Sequence, residues 1–152
     1  MKKIMFRAKT LSGRWVNGDL HLMCRTPHIH CPDSNLIKTD TIGQFTCLKD
    51  KNGVEIYEGD IMRMHTFLDV TREPYYEDDF YLDRSTYGVV KITPGRGAIL
   101  TRCVFYEDNG EFGEKRYMPD RPKRVKLAAY RSEVVGNIYD NPELLIPKPK
   151  EE

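Results

Sequence analysis

Along this chain apolar and aromatic residues come in short runs that alternate with turn-forming residues, and no stretch sustains the spacing of an amphipathic helix. That pattern predicts a mainly β protein. IMFRAK and RWVNGDLHLM flank the turn-like TLSG and read as an N-terminal hairpin, with Trp15 a core or half-buried anchor. Asn52-Gly53 marks a tight turn, since both residues tolerate positive φ. Beyond it Val54 and Ile56 alternate with Glu55 and Tyr57, as in a half-buried strand. Glu58-Gly59-Asp60 breaks the run before Ile61 to Met64 begin another.

GVVKITPGRGAILTRCVFYEDNGEF then reads as strand, turn, strand, with PGRG and DNG as turns. Its apolar content is Val89, Val90, Ile92, Ile99, Val104 and Phe105. SEVVGNIYDNPELL predicts a strand and one helical turn, capped by Asn141 with Pro142 at its first position. TFLDVTREPYYEDDFYLDRSTY, residues 66–87, has no stable period and is expected to be a long loop or insertion. The tail at 146–152, IPKPKEE, is expected to fray. Many short strands with turns between them predict a barrel or sandwich. The order GDIM, long connection, GVVKI suits a small barrel whose glycine-initiated strand pairs back across the insertion.

Composition narrows this only a little. The chain has 152 residues, the size of one domain, and its 39% hydrophobic content suffices for an ordinary core. Charged residues are 31% of the chain and the formal net charge is +1. Such balance argues against a protein that coats nucleic acid non-specifically, while leaving room for a local basic face. MKKIMFRAKT is not followed by an apolar run, so no signal peptide is expected, and no segment is apolar for the roughly 20 residues of a membrane helix. Cys24, Cys31, Cys47 and Cys103 are irregularly spaced, and reduced thiols in the cytoplasm are expected.

The stretch TIGQFTCLKDKNGVEIYEGDIM, Thr41 to Met62, resembles the signature of the YopX family of phage and prophage proteins. FRAK followed by W-V-x-G, then GVV, and finally VVGNIYDNPELL extend the resemblance to both ends. It implies a mainly β fold with a small SH3-like barrel core and a phage or prophage origin, so that the cytoplasm expected from the cysteines is the host cell's. It assigns no activity and no site residues. Cys47 stands where the family pattern has Gly, which suggests a less demanding backbone position here; Phe45 replaces Tyr, and Met62 a β-branched residue.

Lys49, Asp50, Lys51, Glu55, Glu58 and Asp60 could supply acids and bases, yet turn chemistry accounts for most of this block. Ile42, Phe45, Leu48, Ile56 and Ile61 are its expected buried partners, and Gln44 and Thr46 are recognition residues or outward strand positions. Asp50 and Glu58 are the best candidates for acid–base work or a weak cation, but no nucleophile, suitably spaced histidine or phosphate loop accompanies them. No enzyme activity and no cofactor are therefore expected. CRTPHIHC holds Cys24, His28, His30 and Cys31. On an ideal strand the first three share a face and Cys31 opposes them, with Pro27 disturbing the register, so a strand connection is favoured over a zinc site.

Two charged segments remain. EPYYEDDFYLD, with Tyr75, Tyr76, Asp78, Asp79 and Phe80, is acidic and aromatic and suits protein contact. RPKRVKLAAYR carries Arg121, Lys123, Arg124, Lys126, Tyr130 and Arg131. Solvated faces are the plain reading of both. The sharper one pairs them, between copies or with a partner. The leading expectation is a non-enzymatic interaction or assembly module with a protein partner or self-association. The alternative is a nucleic-acid-binding small barrel.

Overall fold

The computed structural model describes residues 4–30, 34–69, 81–108 and 115–147. They form two antiparallel sheets and three 3-10 turns. The first sheet contains β1 (Phe6–Lys9), β2 (Trp15–Met23), β3 (Thr26–His30), β4 (Ser34–Leu36), β5 (Gly43–Lys49) and β6 (Glu55–Tyr57), in the order β4-β3-β2-β1-β5-β6. The predicted hairpin is β1–β2, with Ala8 opposite Val16, and its turn closes through Gly13 N donating to Thr10 O. Alternation buries Ala8 and Val16 against Ile29 and Ile37, the small core of this sheet.

The second sheet contains β7 (Asp60–Asp69), β8 (Tyr81–Thr93), β9 (Gly97–Asp108), β10 (Lys115–Tyr117), β11 (Val125–Lys126) and β12 (Ser132–Asn137). Its order is β10-β9-β8-β7-β12, with β11 also paired to β9. Ile61 opposes Val89, so the glycine-initiated strand does pair back as expected. The loop expected over 66–87 is corrected at both ends. Thr66 to Asp69 and Tyr81 to Tyr87 extend β7 and β8 as a ladder reaching Asp69 opposite Tyr81, and 70–80 lie outside the described residues. Aperiodic side chains misled the reading because backbone pairing, not alternation, carries this ribbon. PGRG turns β8 into β9 with Thr93 opposite Gly97, while Asn109 and Gly110 of the DNG turn lie outside the described residues.

The two faces of the second sheet bury different partners. Met62, Val90, Leu100, Cys103 and Phe105 pack with Ile56 of β6 and with Leu127. The alternating Ile61 and Val89 pack with Leu145 of the 3-10 turn Pro142–Leu145. That turn follows Asn141 and begins with Pro142 as predicted, but Asn141 does not cap it. Its Oδ1 accepts the backbone N–H of Asn137 instead.

The barrel expectation is also corrected: each sheet is open, and no closed barrel forms among the described residues. β6 ends the first sheet through its pairing with β5, yet Ile56 enters the core of the second, so the sheets are joined by shared burial rather than by a continuous ladder. Tyr57 is buried beside Ile56, whereas Val54, expected inside, precedes β6 in the turn held by Asp50 and is 48% exposed.

Candidate functional site

The central block is built around its acids. Asp50 Oδ1 accepts the backbone N–H groups of Asn52 and Val54, at 2.8 and 2.9 Å, and Oδ2 accepts Val134 N at 2.9 Å. One carboxylate thus closes the β5–β6 turn and ties it to β12. Burial opposes ionisation of Asp50, but the three N–H donors and the nearby Lys51 more than offset it and hold the carboxyl below its ordinary pKa. Within the turn only Gly53 takes positive φ, +82°, while Asn52 does not.

Glu58 serves in the same way. Its Oε1 accepts Gln44 N and its Oε2 accepts Ile92 N, so one side chain bridges the two sheets. Gly43 permits the approach, since a Cβ there would stand 2.3 Å from the carbonyl oxygen of Glu58. Asp60, 1% exposed, accepts Tyr57 N through Oδ2 and pairs through Oδ1 with Arg7 Nη2 at 2.8 Å. Arg7 lies over the rings of Trp15 and Tyr57, at 4.6 and 4.9 Å. Burial pushes the Asp60 carboxyl above its ordinary pKa against the pull of Arg7 and the Tyr57 N–H. Asp140 completes this seam, accepting from Lys9, from Trp15 Nε1 at 2.9 Å and from Asn137 Nδ2. These three donors hold its pKa down at about 2.

The cations of the block point the other way. A cleft of about 820 Å³ opens beside the β5–β6 turn. Leu48, Lys49 and Lys51 line one side; Lys126, Tyr130 and Arg131 line the other, on β11 and the 3-10 turn Ala129–Arg131. Its shape follows from Asp50, which holds the turn against β12, and from Lys51 N donating to Ser132 O. Leu48, expected inside, is 39% exposed, and Tyr130 is 78% exposed. Lys51 lies 3.9 Å from Glu133, whereas Lys49 and Lys126 have no ion-pair partner among the described residues. The Nε of Arg131 is buried without a hydrogen-bond partner among them, and its guanidinium lies 5.9 Å from the Tyr130 ring.

The predicted basic stretch is thereby divided. Lys126, Tyr130 and Arg131 enter the cleft, while Arg121 packs over Phe105 at 5.5 Å. Lys123 and Arg124 are exposed but do not line it. Lys49 and Lys51 are the cleft residues that sequence reasoning missed. Their signal was the alternation Lys-Asp-Lys, in which an inward Asp50 leaves its neighbours facing outward. Tyr75, Tyr76, Asp78, Asp79 and Phe80 lie outside the described residues.

Cys24 does not share a strand face with His28 and His30 as expected. Cys24 and Arg25, with φ of 50° and 66°, form the tight turn between β2 and β3, and Cys24 is exposed. His28 opposes His21, their rings stacked at 5.9 Å, and His30 opposes Asp19. Cys31 lies outside the described residues, and among these no group of three His, Cys, Asp or Glu side chains could hold a metal ion. Cys103 is buried, which pushes its thiol up to about 11. No helix among the described residues is long and apolar enough to cross a membrane.

Cys47 corrects a further expectation. Its φ is +65°, so the position where the family pattern has Gly demands the left-handed region here as well. It lies in a bulge of β5, between the pairs Phe45–Tyr57 and Lys49–Glu55. Thr46 supports the bulge, donating Oγ1–H to Ile56 O and accepting Leu48 N.

These features define an open two-sheet β protein whose central acids hold the fold together and whose neighbouring lysines line a cleft. The chain matches the model for the YopX protein over residues 2–146, and it belongs to the YopX family. No curated protein matches it.

Proposed function

We propose that this YopX-family protein is a non-enzymatic interaction module, encoded by a phage or prophage and acting in the host cytoplasm, that engages another macromolecule through its cationic cleft. One observation carries the reading: the candidate acids Asp50, Glu58 and Asp60 are spent on backbone N–H groups and Arg7, while Lys49 and Lys126 in the cleft are unpaired among the described residues. A general base must reach a substrate proton, and the inward carboxylates of Asp50 and Asp60 have no such access. Phage origin and the host cell rest on the family resemblance, and the cytoplasm on the cysteines.

Affinity capture from induced host cells tests this, comparing the wild type with a Lys49→Glu/Lys126→Glu variant of unchanged far-UV circular dichroism. The wild type should retain a protein or nucleic acid that the variant loses. Identical recovery by both would overturn the reading. Self-association through the cleft is covered by the same comparison, as an assembly that weakens with salt and is absent in the variant.

A further inference from the structure

We infer that the cleft takes single-stranded nucleic acid, with Lys49, Lys51, Lys126 and Arg131 following the phosphates and Tyr130 offering a ring to an unstacked base. This rests on the reading of the cleft as the interaction surface and names its occupant.

The charge around the cleft comes first. Four cations line it, and the one carboxylate among the lining residues, Asp50, is 6% exposed and holds three N–H groups. Glu133 lies 3.9 Å from Lys51 but is shared with Arg63, so the cleft keeps an excess of positive charge although the chain as a whole carries only +1. A weak global charge excludes coating of duplex over long tracts, but not a short contact of a few phosphates.

The kind of side chain decides between polyanions. Protein interfaces are depleted in lysine at their core and anchored by clustered aromatic or aliphatic groups. Here three of the cations are lysines, and Tyr130 and Leu48 are the exposed apolar surfaces beside them. Sites for single strands combine a cationic groove with an exposed ring, since every base has a face to stack. Tyr130, 78% exposed with the Arg131 guanidinium 5.9 Å from its ring, fits that role. The cleft, about 820 Å³, is widely open to solvent rather than enclosed. Such an opening admits a splayed nucleotide; a duplex keeps its bases stacked, away from Tyr130.

Fluorescence anisotropy with labelled single-stranded RNA, single-stranded DNA, duplex DNA and a glutamate-rich peptide of equal charge tests the inference on the full chain. The wild type should prefer a single strand, and its affinity should fall with salt at a log–log slope of about −2 to −3, the release expected from three or four phosphates. Tyr130→Ala should weaken single-strand binding at least about fivefold with the slope unchanged, because stacking is lost and charge is kept. Lys49→Ala/Lys126→Ala should make the slope shallower by about 1.4, at about 0.7 per phosphate. The RNA and DNA arms tell which single strand is taken.

Tighter binding of the peptide, equal binding of duplex and single strand with Tyr130→Ala indifferent, or no oligonucleotide binding would each overturn the inference. If oligonucleotides fail while host-cell capture still depends on Lys49 and Lys126, the interaction module stands and its occupant is a protein. If light scattering shows a dimer at low salt that the lysine variant cannot form, the occupant is a second copy. If capture fails too, both readings fall.

Discussion

Around the central block charged residues meet opposite fates at the seam between the sheets and at the cleft. At the seam between the sheets, Asp60 faces Arg7, Glu58 spans from Gln44 to Ile92, and Asp140 gathers Lys9 and Trp15. At the cleft, Lys49 and Lys126 face solvent without a counter-ion among the described residues. A buried charge is tolerated only when its partners are in place, so the seam is where substitutions should cost stability. An exposed cation is hydrated and adds little to the fold, so the cleft is where they should be nearly silent in stability. The two regions therefore predict separable phenotypes from residues as close in sequence as Lys49 and Asp50.

The largest effect is expected at Asp60. Asp60→Asn keeps an acceptor for Tyr57 N but leaves Arg7, whose side chain is only 17% exposed, without its anion. Removing one partner of a buried pair costs about 3 kcal/mol or more, and chemical denaturation should show that loss. Arg7→Met should cost a similar amount by stranding the Asp60 carboxylate. The double variant should cost clearly less than the two losses added together, because neither charge is then left alone. Strict additivity would mean that the pair does not couple the sheets.

Asp50→Asn comes next, at about 2 kcal/mol near neutral pH, because the amide cannot serve the Val134 N–H while its oxygen serves Asn52 and Val54. The sign of the pH dependence follows from the lowered carboxyl. A folded pKa below the unfolded value, about 3.9, contributes stability that is fully present above that value and is lost as pH falls through the folded pKa. The gap between wild type and Asp50→Asn should therefore narrow in acid denaturation below about pH 4. A constant gap from neutral to acid pH would remove Asp50 from the seam.

How far the sequence announced this division can be judged residue by residue. The turns at TLSG and PGRG and the inward Ile56 and Ile61 were legible, because turn chemistry and alternation are local. The open sheets were not, since closure depends on whether terminal strands meet, which no local pattern records. The ladder through Asp69 and Tyr81 hid behind aperiodic side chains. At the site, Lys126, Tyr130 and Arg131 were visible as a basic stretch, but Arg121 was not separable from them until Phe105 came beneath it. Lys49 and Lys51 joined them only through the tertiary tie from Asp50 to Val134. Leu48 was expected inside as one of the block's apolar residues, but it follows the bulge at Cys47 and stands 39% exposed.

That bulge supplies a smaller prediction with the opposite sign. Cys47 holds φ of +65° with a side chain that crowds its own backbone there, a cost of about 1 kcal/mol. Cys47→Gly should relieve part of it and raise the melting temperature by up to about 2–4 °C. The greater freedom of glycine in the unfolded chain limits the gain. A fall in melting temperature would show that the thiol, rather than the backbone, is what this position requires.

The smallest effect on stability should come from the cleft itself. Lys49→Ala and Lys126→Ala remove exposed cations with no ion-pair partner among the described residues, and each should change unfolding free energy by less than about 0.5 kcal/mol. Lys51→Ala should do little more, because the Glu133 carboxylate 3.9 Å away also faces Arg63 at 3.3 Å and keeps a partner. Calorimetry on the three variants measures this directly. Losses approaching those at Asp50 would mean that the lysines hold the turn, and the cleft would then be part of the scaffold. Near-silence in stability, together with the loss of capture in the charge-reversed pair, is the combination a recognition surface requires, because it separates what the lysines bind from what the carboxylates build.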